Sequence, residues 1–190
     1  MATVFERRLT APSTTNKYYI KTTYGGYNRC IVINTSTGSV LPNCVGYAWG
    51  RFCEEQNIKN CNLSRGDAGN WYGKNDGYAR GSYPKLGAVI CWYDTKGAGH
   101  VAIVEKVYDN GDILTSNSAY GGKRFYTKEL TRSSNYYMGR TYHFQGFIYP
   151  DIDFIDPDTP IPPEPYVSTK KKKFPWFIYA RKLRSQHLTH

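Results

Sequence analysis

No stretch of the 190-residue chain approaches the roughly twenty apolar residues that cross a bilayer as a helix, and Met1 to Arg8 lack the apolar run of a secretory leader. A membrane span is not expected, and synthesis in the cytoplasm without a signal peptide is. The five cysteines, Cys30, Cys44, Cys53, Cys61 and Cys91, are odd in number and contain no CxxC pair. That argues against a regular disulfide framework and against a zinc site, and it leaves room for one free, reactive thiol. No metal and no cofactor is expected. Acidic residues stop at Glu164, and behind it Lys170 to Lys173, Arg181, Lys182 and Arg184 supply seven of the ten net positive charges. The chain before them is nearly balanced, which is poor support for a nucleic-acid-binding domain, and a monomer is expected.

Aromatic residues, by contrast, are plentiful: they make up 16% of the chain, with 18 tyrosines. Together with many Gly and Asn they suggest a strand-rich domain with an aromatic-lined surface groove suited to carbohydrate or peptide. The length fits one compact domain, here residues 1–150, with an extension. Residues 151–169 follow as an acidic, Pro-rich linker without periodicity, then 170–190 as a basic tail carrying Phe174, Trp176, Phe177 and Tyr179. Within the domain, Val45, Ala48, Trp49 and Phe52 recur at helical spacing behind Asn43, a good N-cap, and predict a helix from Cys44 to about Gln56. An irregular glycine-punctuated stretch runs from 60 to 83. Apolar runs at 87–93, 100–107 and 113–117, joined by short Gly-bearing turns, then predict an antiparallel meander, with further strand near Phe125 and over 142–149.

Cys44 opens the helix, where unpaired N–H groups and the positive end of the dipole favour thiolate, the reactive form of cysteine. A thiol nucleophile needs a base and a group to hold that base. His100 begins a strand directly after Gly97-Ala98-Gly99, where a helix N-terminus packed on the sheet can reach it. Asn117, at the end of the next strand, can return beside His100 and accept from its ring. Glu105 is excluded from that role by parity, since an offset of five points it to the other face of the strand.

The set Asn43-Cys44-Val45-Gly46-Tyr47-Ala48, Asn70-Trp71-Tyr72, Pro84 to Val89, Gly99-His100-Val101-Ala102-Ile103-Val104 and Ser116-Asn117 with Gly121-Gly122 resembles the CHAP domain, a cysteine, histidine-dependent amidohydrolase/peptidase of papain-like type, over roughly residues 38 to 150. The resemblance implies an α+β, papain-like fold with N-terminal helices packed on a small antiparallel sheet or half-barrel. It implies cleavage of an amide or peptide bond in bacterial peptidoglycan, as in phage endolysins and tail-associated lysins, with Cys44 as nucleophile, His100 as base and Asn117 as orienting residue. Action on the wall after release, or as part of a virion, goes with it. Trp71, Trp92 and Tyr120 are then expected to wall the substrate groove. Many relatives carry Glu two positions before this Asn, and here Thr115 stands there, so no acidic helper is expected. Some phage relatives hold calcium in an acidic loop before the cysteine, whereas Thr35 to Leu41 contain no acid and predict no such site. The alternative is a catalytically silent wall-binding or virion structural module.

Overall fold

The computed structural model describes residues 3–13, 15–19, 21–22, 31–32, 43–64, 66–120 and 122–159. Cys30, the loop leading to Pro42, Gly121, the linker beyond 159 and the basic aromatic tail lie outside the described residues. In chain order the elements are β1 (Thr3–Val4), β2 (Lys21–Thr22), β3 (Ile31–Val32), α1 (Cys44–Glu55), a 3-10 turn at Ala68–Asn70, β4 (Arg80–Gly81), β5 (Val89–Asp94), β6 (His100–Val107), β7 (Ile113–Asn117), β8 (Tyr126–Leu130), a second 3-10 turn at Arg132–Ser134, β9 (Tyr142–Ile148) and β10 (Phe154–Ile155). The class is α+β. Six antiparallel strands form an open sheet in the order β4-β9-β5-β6-β7-β8, and α1, the one α-helix among the described residues, packs on it.

Helix α1 starts where the sequence signals say it should. Asn43 is in an extended conformation and its side chain accepts from the Gly46 N–H at 3.1 Å, satisfying one of the orphan donors of the first turn. Val45, Ala48, Trp49 and Phe52 then turn one face onto Val89 and Cys91 of β5 and Val101 and Ile103 of β6. Gly50 sits mid-helix, against its propensity, because a Cβ there would collide with the ring of Tyr19. Gly50→Ala is therefore a single change that would force the two apart.

Strands β5 and β6 read as continuous apolar runs because both faces of the sheet are buried. Val89, Cys91, Val101 and Ile103 meet the helix, while Ile90, Trp92, Ala102 and Val104 meet Tyr136 and Phe147 on the other side. Each large side chain fully buried in this way, such as Phe52 or Ile103, contributes roughly 1.5–3 kcal/mol.

The helix is also tied to the sheet by charge. Glu105, at the same parity in β6 as Val101 and Ile103 and beside a bulge between Val104 and Lys106, lies under α1, where its carboxylate accepts from Arg51 Nε at 3.0 Å and Nη2 at 2.9 Å, Ser116 Oγ at 2.6 Å and the Arg8 N–H at 2.8 Å. Arg51 donates further to Glu54 at 3.1 Å and to the Glu6 carbonyl. Burial pulls the Arg51 pKa down, and Glu105, with smaller contributions from Glu55 and Tyr47, raises it overall.

Residues 151–159, linker by composition, are packed against the start of the chain. Strand β10 pairs in parallel with β1, Phe154 meets Phe5 edge-on at 4.9 Å between centroids, and Arg7 bridges Asp156 and Asp158. The first compact unit accordingly runs to Thr159.

Candidate active site

Three elements converge on Cys44. Helix α1 presents it as its first residue, half-buried, and the backbone N–H of Asn43 just before it donates to Ser118 Oγ at 3.0 Å, pinning the helix start to the end of β7. The thiol lies against the backbone of Val101, the residue after His100. Burial pushes the thiol pKa up, and the N–H groups of Val101, Val45 and Cys44 itself pull it down without cancelling the rise. The expectation that the helix start favours thiolate is thereby corrected: the helical donors act in the expected direction, but desolvation outweighs them.

His100 begins β6, and its position is set by the turn before it. Gly99, at φ +81°, lies so close to the backbone of Gly69 that no side chain fits, and the Gly69 N–H donates to the Ala98 carbonyl at 2.7 Å. The imidazole is buried beside Trp92, 5.7 Å between ring centroids, and Tyr142, 6.4 Å away and edge-on. Its Nε2 meets Asn117 Oδ1 at 3.0 Å. Burial lowers the His100 pKa to about 4, the Asn117 bond opposes this, and the charge of Lys128 adds to it. The resting pair is therefore thiol and neutral imidazole.

Asn117 is fully buried, and behind it the chain of contacts continues. Its Nδ2 donates to Thr115 Oγ1 at 2.9 Å, and Thr115 Oγ1 donates to the Lys128 carbonyl, also at 2.9 Å, across the β7–β8 ladder. Cys44, His100 and Asn117 are thus brought to one end of the sheet. Glu105 faces the helix instead.

The aromatic residues divide differently from the expectation. Trp71 and Trp92 are both fully buried, and their indole N–H groups donate to the carbonyls of Gly66 at 3.1 Å and Tyr136 at 2.9 Å. Neither offers a face to a ligand, which corrects their assignment as groove walls: both are core. Tyr120 is 62% exposed in the β7–β8 connection. Two tyrosines not singled out from the sequence stand close to the thiol. Tyr126, opposite Asn117 in the ladder, and Tyr142 lie within electrostatic reach of Cys44. Burial raises both phenols most; the thiol comes next for Tyr126, which rises to about 12, while for Tyr142 the charge of Asp94 precedes it, so both remain hydrogen-bond donors at neutral pH. The missing signal was strand register, which alternation alone does not supply. Among the described residues no group of three or more His, Cys, Asp or Glu is arranged to hold a metal ion, and no helix is long and apolar enough to cross a membrane.

Residues 34–119 match the family model of the CHAP domain, a span that includes Cys44, His100, Thr115 and Asn117 and ends before Tyr126 and Tyr142. Among solved structures, the chain is similar to an N-acetylmuramoyl-L-alanine amidase from Staphylococcus aureus, at 23% identity and a TM-score of 0.42. That alignment covers 54% of this chain and 30% of the amidase.

Proposed function

We propose that the protein, which matches the CHAP family model over residues 34–119, is a peptidoglycan hydrolase that cuts an amide or peptide bond of the wall's stem peptide by acyl transfer to Cys44. The observation that carries this reading is the 3.0 Å bond between His100 and Asn117 at the strand end against which the Cys44 thiol lies. With thiol and imidazole both neutral at rest, proton transfer accompanies attack. His100 takes the Sγ proton as sulfur bonds to the carbonyl carbon, and the carbonyl π pair moves onto oxygen, where the Cys44 backbone N–H can donate to it. Collapse of this intermediate expels the amine, which leaves with the proton from His100. Water, giving a proton to His100, then attacks the thioester, and release of the acid returns that proton to sulfur.

Asn117 holds the imidazole throughout. Tyr126 and Tyr142, close to the thiol, are the proposed groove walls in place of the buried tryptophans, with the exposed Tyr120 beside them as a proposed member. The finer reading is a phage-type lysin that meets the wall after release or within a virion, acting as a monomer. Gram-positive walls digested with the protein and resolved by mass spectrometry provide the test. Wild type should release fragments with either a free lactyl carboxylate, for an amidase, or a new amino terminus, for an endopeptidase. Cys44→Ala should fold and release none. Intact walls after treatment with wild type would leave only a silent wall-binding module.

A further inference from the structure

The contacts behind Asn117 have a direction, and it originates in the backbone. The Lys128 carbonyl can only accept a hydrogen bond. Thr115 Oγ1, 2.9 Å away, has one hydrogen and spends it there. Toward Asn117, also at 2.9 Å, the same oxygen must therefore accept, which requires the amide NH2 of Asn117 on that side. The amide oxygen is then left facing His100 at 3.0 Å, and because it too only accepts, the hydrogen between them sits on Nε2. A neutral imidazole protonated at Nε2 has its lone pair on Nδ1. Thr115 and Asn117 are fully buried and His100 nearly so, so bulk water does not compete for these positions.

We propose that Thr115 is the positioning residue that sets the His100 tautomer, transmitting the fixed polarity of the Lys128 carbonyl through Asn117 so that Nδ1 stays free to take the Cys44 proton. Without the Thr115 acceptor, the Asn117 amide has no reason to prefer one of its two orientations, which are nearly the same shape. Turned over, it points NH2 at His100 and selects the Nδ1–H tautomer, which cannot serve as base. All that is needed at this position is an acceptor whose own hydrogen is committed elsewhere. The inference rests on the proposed roles of Cys44, His100 and Asn117, but the tautomer can be read without any activity.

Nitrogen-15 NMR of the imidazoles at neutral pH, with His100 assigned by its loss in His100→Gln, is the first measurement. Wild type should show His100 protonated at Nε2 and bare at Nδ1; the reverse tautomer in wild type overturns the proposal. Thr115→Val keeps the shape and removes the hydroxyl, so a mixture or the Nδ1–H form is expected, with kcat on wall fragments lower by about tenfold or more and KM unchanged. Thr115→Ser, which restores the hydroxyl, should return both the tautomer and kcat to within about threefold of wild type. An unchanged tautomer in a folded Thr115→Val protein overturns the proposal, and so does failure of Ser to rescue. If wild type proves inactive while its tautomer follows Thr115, the hydrolase reading fails and the positioning role stands.

Discussion

Replacing Glu105 by Gln removes one negative charge from beneath α1 and leaves its partner in place. Glu105 is fully buried and accepts four hydrogen bonds, two of them from Arg51, whose side chain is 3% exposed. A glutamine of the same shape accepts through one oxygen only, and in either orientation its NH2 faces an Arg51 N–H, together with the Ser116 hydroxyl on one side or the Arg8 N–H on the other. Removing one member of a buried ion pair costs about 3–5 kcal/mol, because the remaining charge is desolvated and unpaired. Arg51 keeps Glu54 at 3.1 Å, so the lower end, about 3 kcal/mol, is expected. For a unit of this size each kcal/mol is worth about 2–4 °C, which gives a melting temperature lower by roughly 6–12 °C by circular dichroism.

Activity should respond quite differently. Glu105 lies on the helix side of β6, away from the bond between His100 and Asn117, so kcat measured well below the transition should stay within about twofold of wild type. Arg51→Met combined with Glu105→Met removes both charges and should melt above Glu105→Gln, since a well-packed apolar pair replaces a buried ionic one at little or no cost. An unchanged melting temperature in Glu105→Gln would refute the energetic argument. A collapse of kcat with the melting temperature preserved would refute the parity argument and make Glu105 part of the catalytic machinery.

Further outcomes are expected for pH and for truncation. Because burial holds His100 at about 4, below its ordinary 6.5, the acid limb of kcat/KM should fall near pH 4; a limb between 6 and 7 would show that the imidazole is not desolvated. The same shift makes stability fall as pH drops from 6.5 toward 4, since the unfolded chain takes up the proton first, by up to about 3 kcal/mol from this group. Truncation after Thr159 should leave the melting temperature of the first unit within about 2 °C of full length. Truncation after Tyr149 removes the packing of Phe154 on Phe5 and the partners of Arg7, about 2 kcal/mol or 4–8 °C, and equal midpoints for the two truncations would restore residue 151 as the start of the linker.

What was legible in the sequence is what short-range pattern determines. The start of α1 follows from a 3.6-residue period with a capping residue in front, and the meander from apolar runs between glycine turns. Contacts between distant segments were not legible. Trp71 and Trp92 look like groove residues in a Gly-rich neighbourhood, but their burial depends on both faces of the sheet being covered, in the case of Trp92 by Tyr136, more than forty residues on. The pairing of Phe154 with Thr3 spans nearly the whole first unit and leaves no periodic trace in an acidic, Pro-rich stretch. At Cys44 the helix start was visible and its desolvation was not, so the direction of the pKa shift was misjudged. Tyr126 belongs to a strand whose existence was expected, but its place opposite Asn117 is a matter of register.

Strand β7 and the residue that follows it have committed both their faces. Thr115 and Asn117 point to the histidine, while Ser116 holds Glu105 and Tyr47, and Ser118 holds the backbone in front of Cys44. Such a strand has no spare frame. A deletion or insertion of one residue anywhere within it would exchange the two sets, so the histidine would lose its support and the cysteine its anchorage in a single event. Length changes in this part of the chain should therefore be tolerated only outside the strand, at Asp109–Asp112 before it or beyond Ser118. Substitutions divide into two blocks that can be varied separately: Thr115 and Asn117 with the β8 residues opposite them, and Ser116 and Ser118 with Tyr47 and Glu105. A combinatorial library built on that division explores the two faces independently, whereas one that randomises consecutive positions breaks both at once.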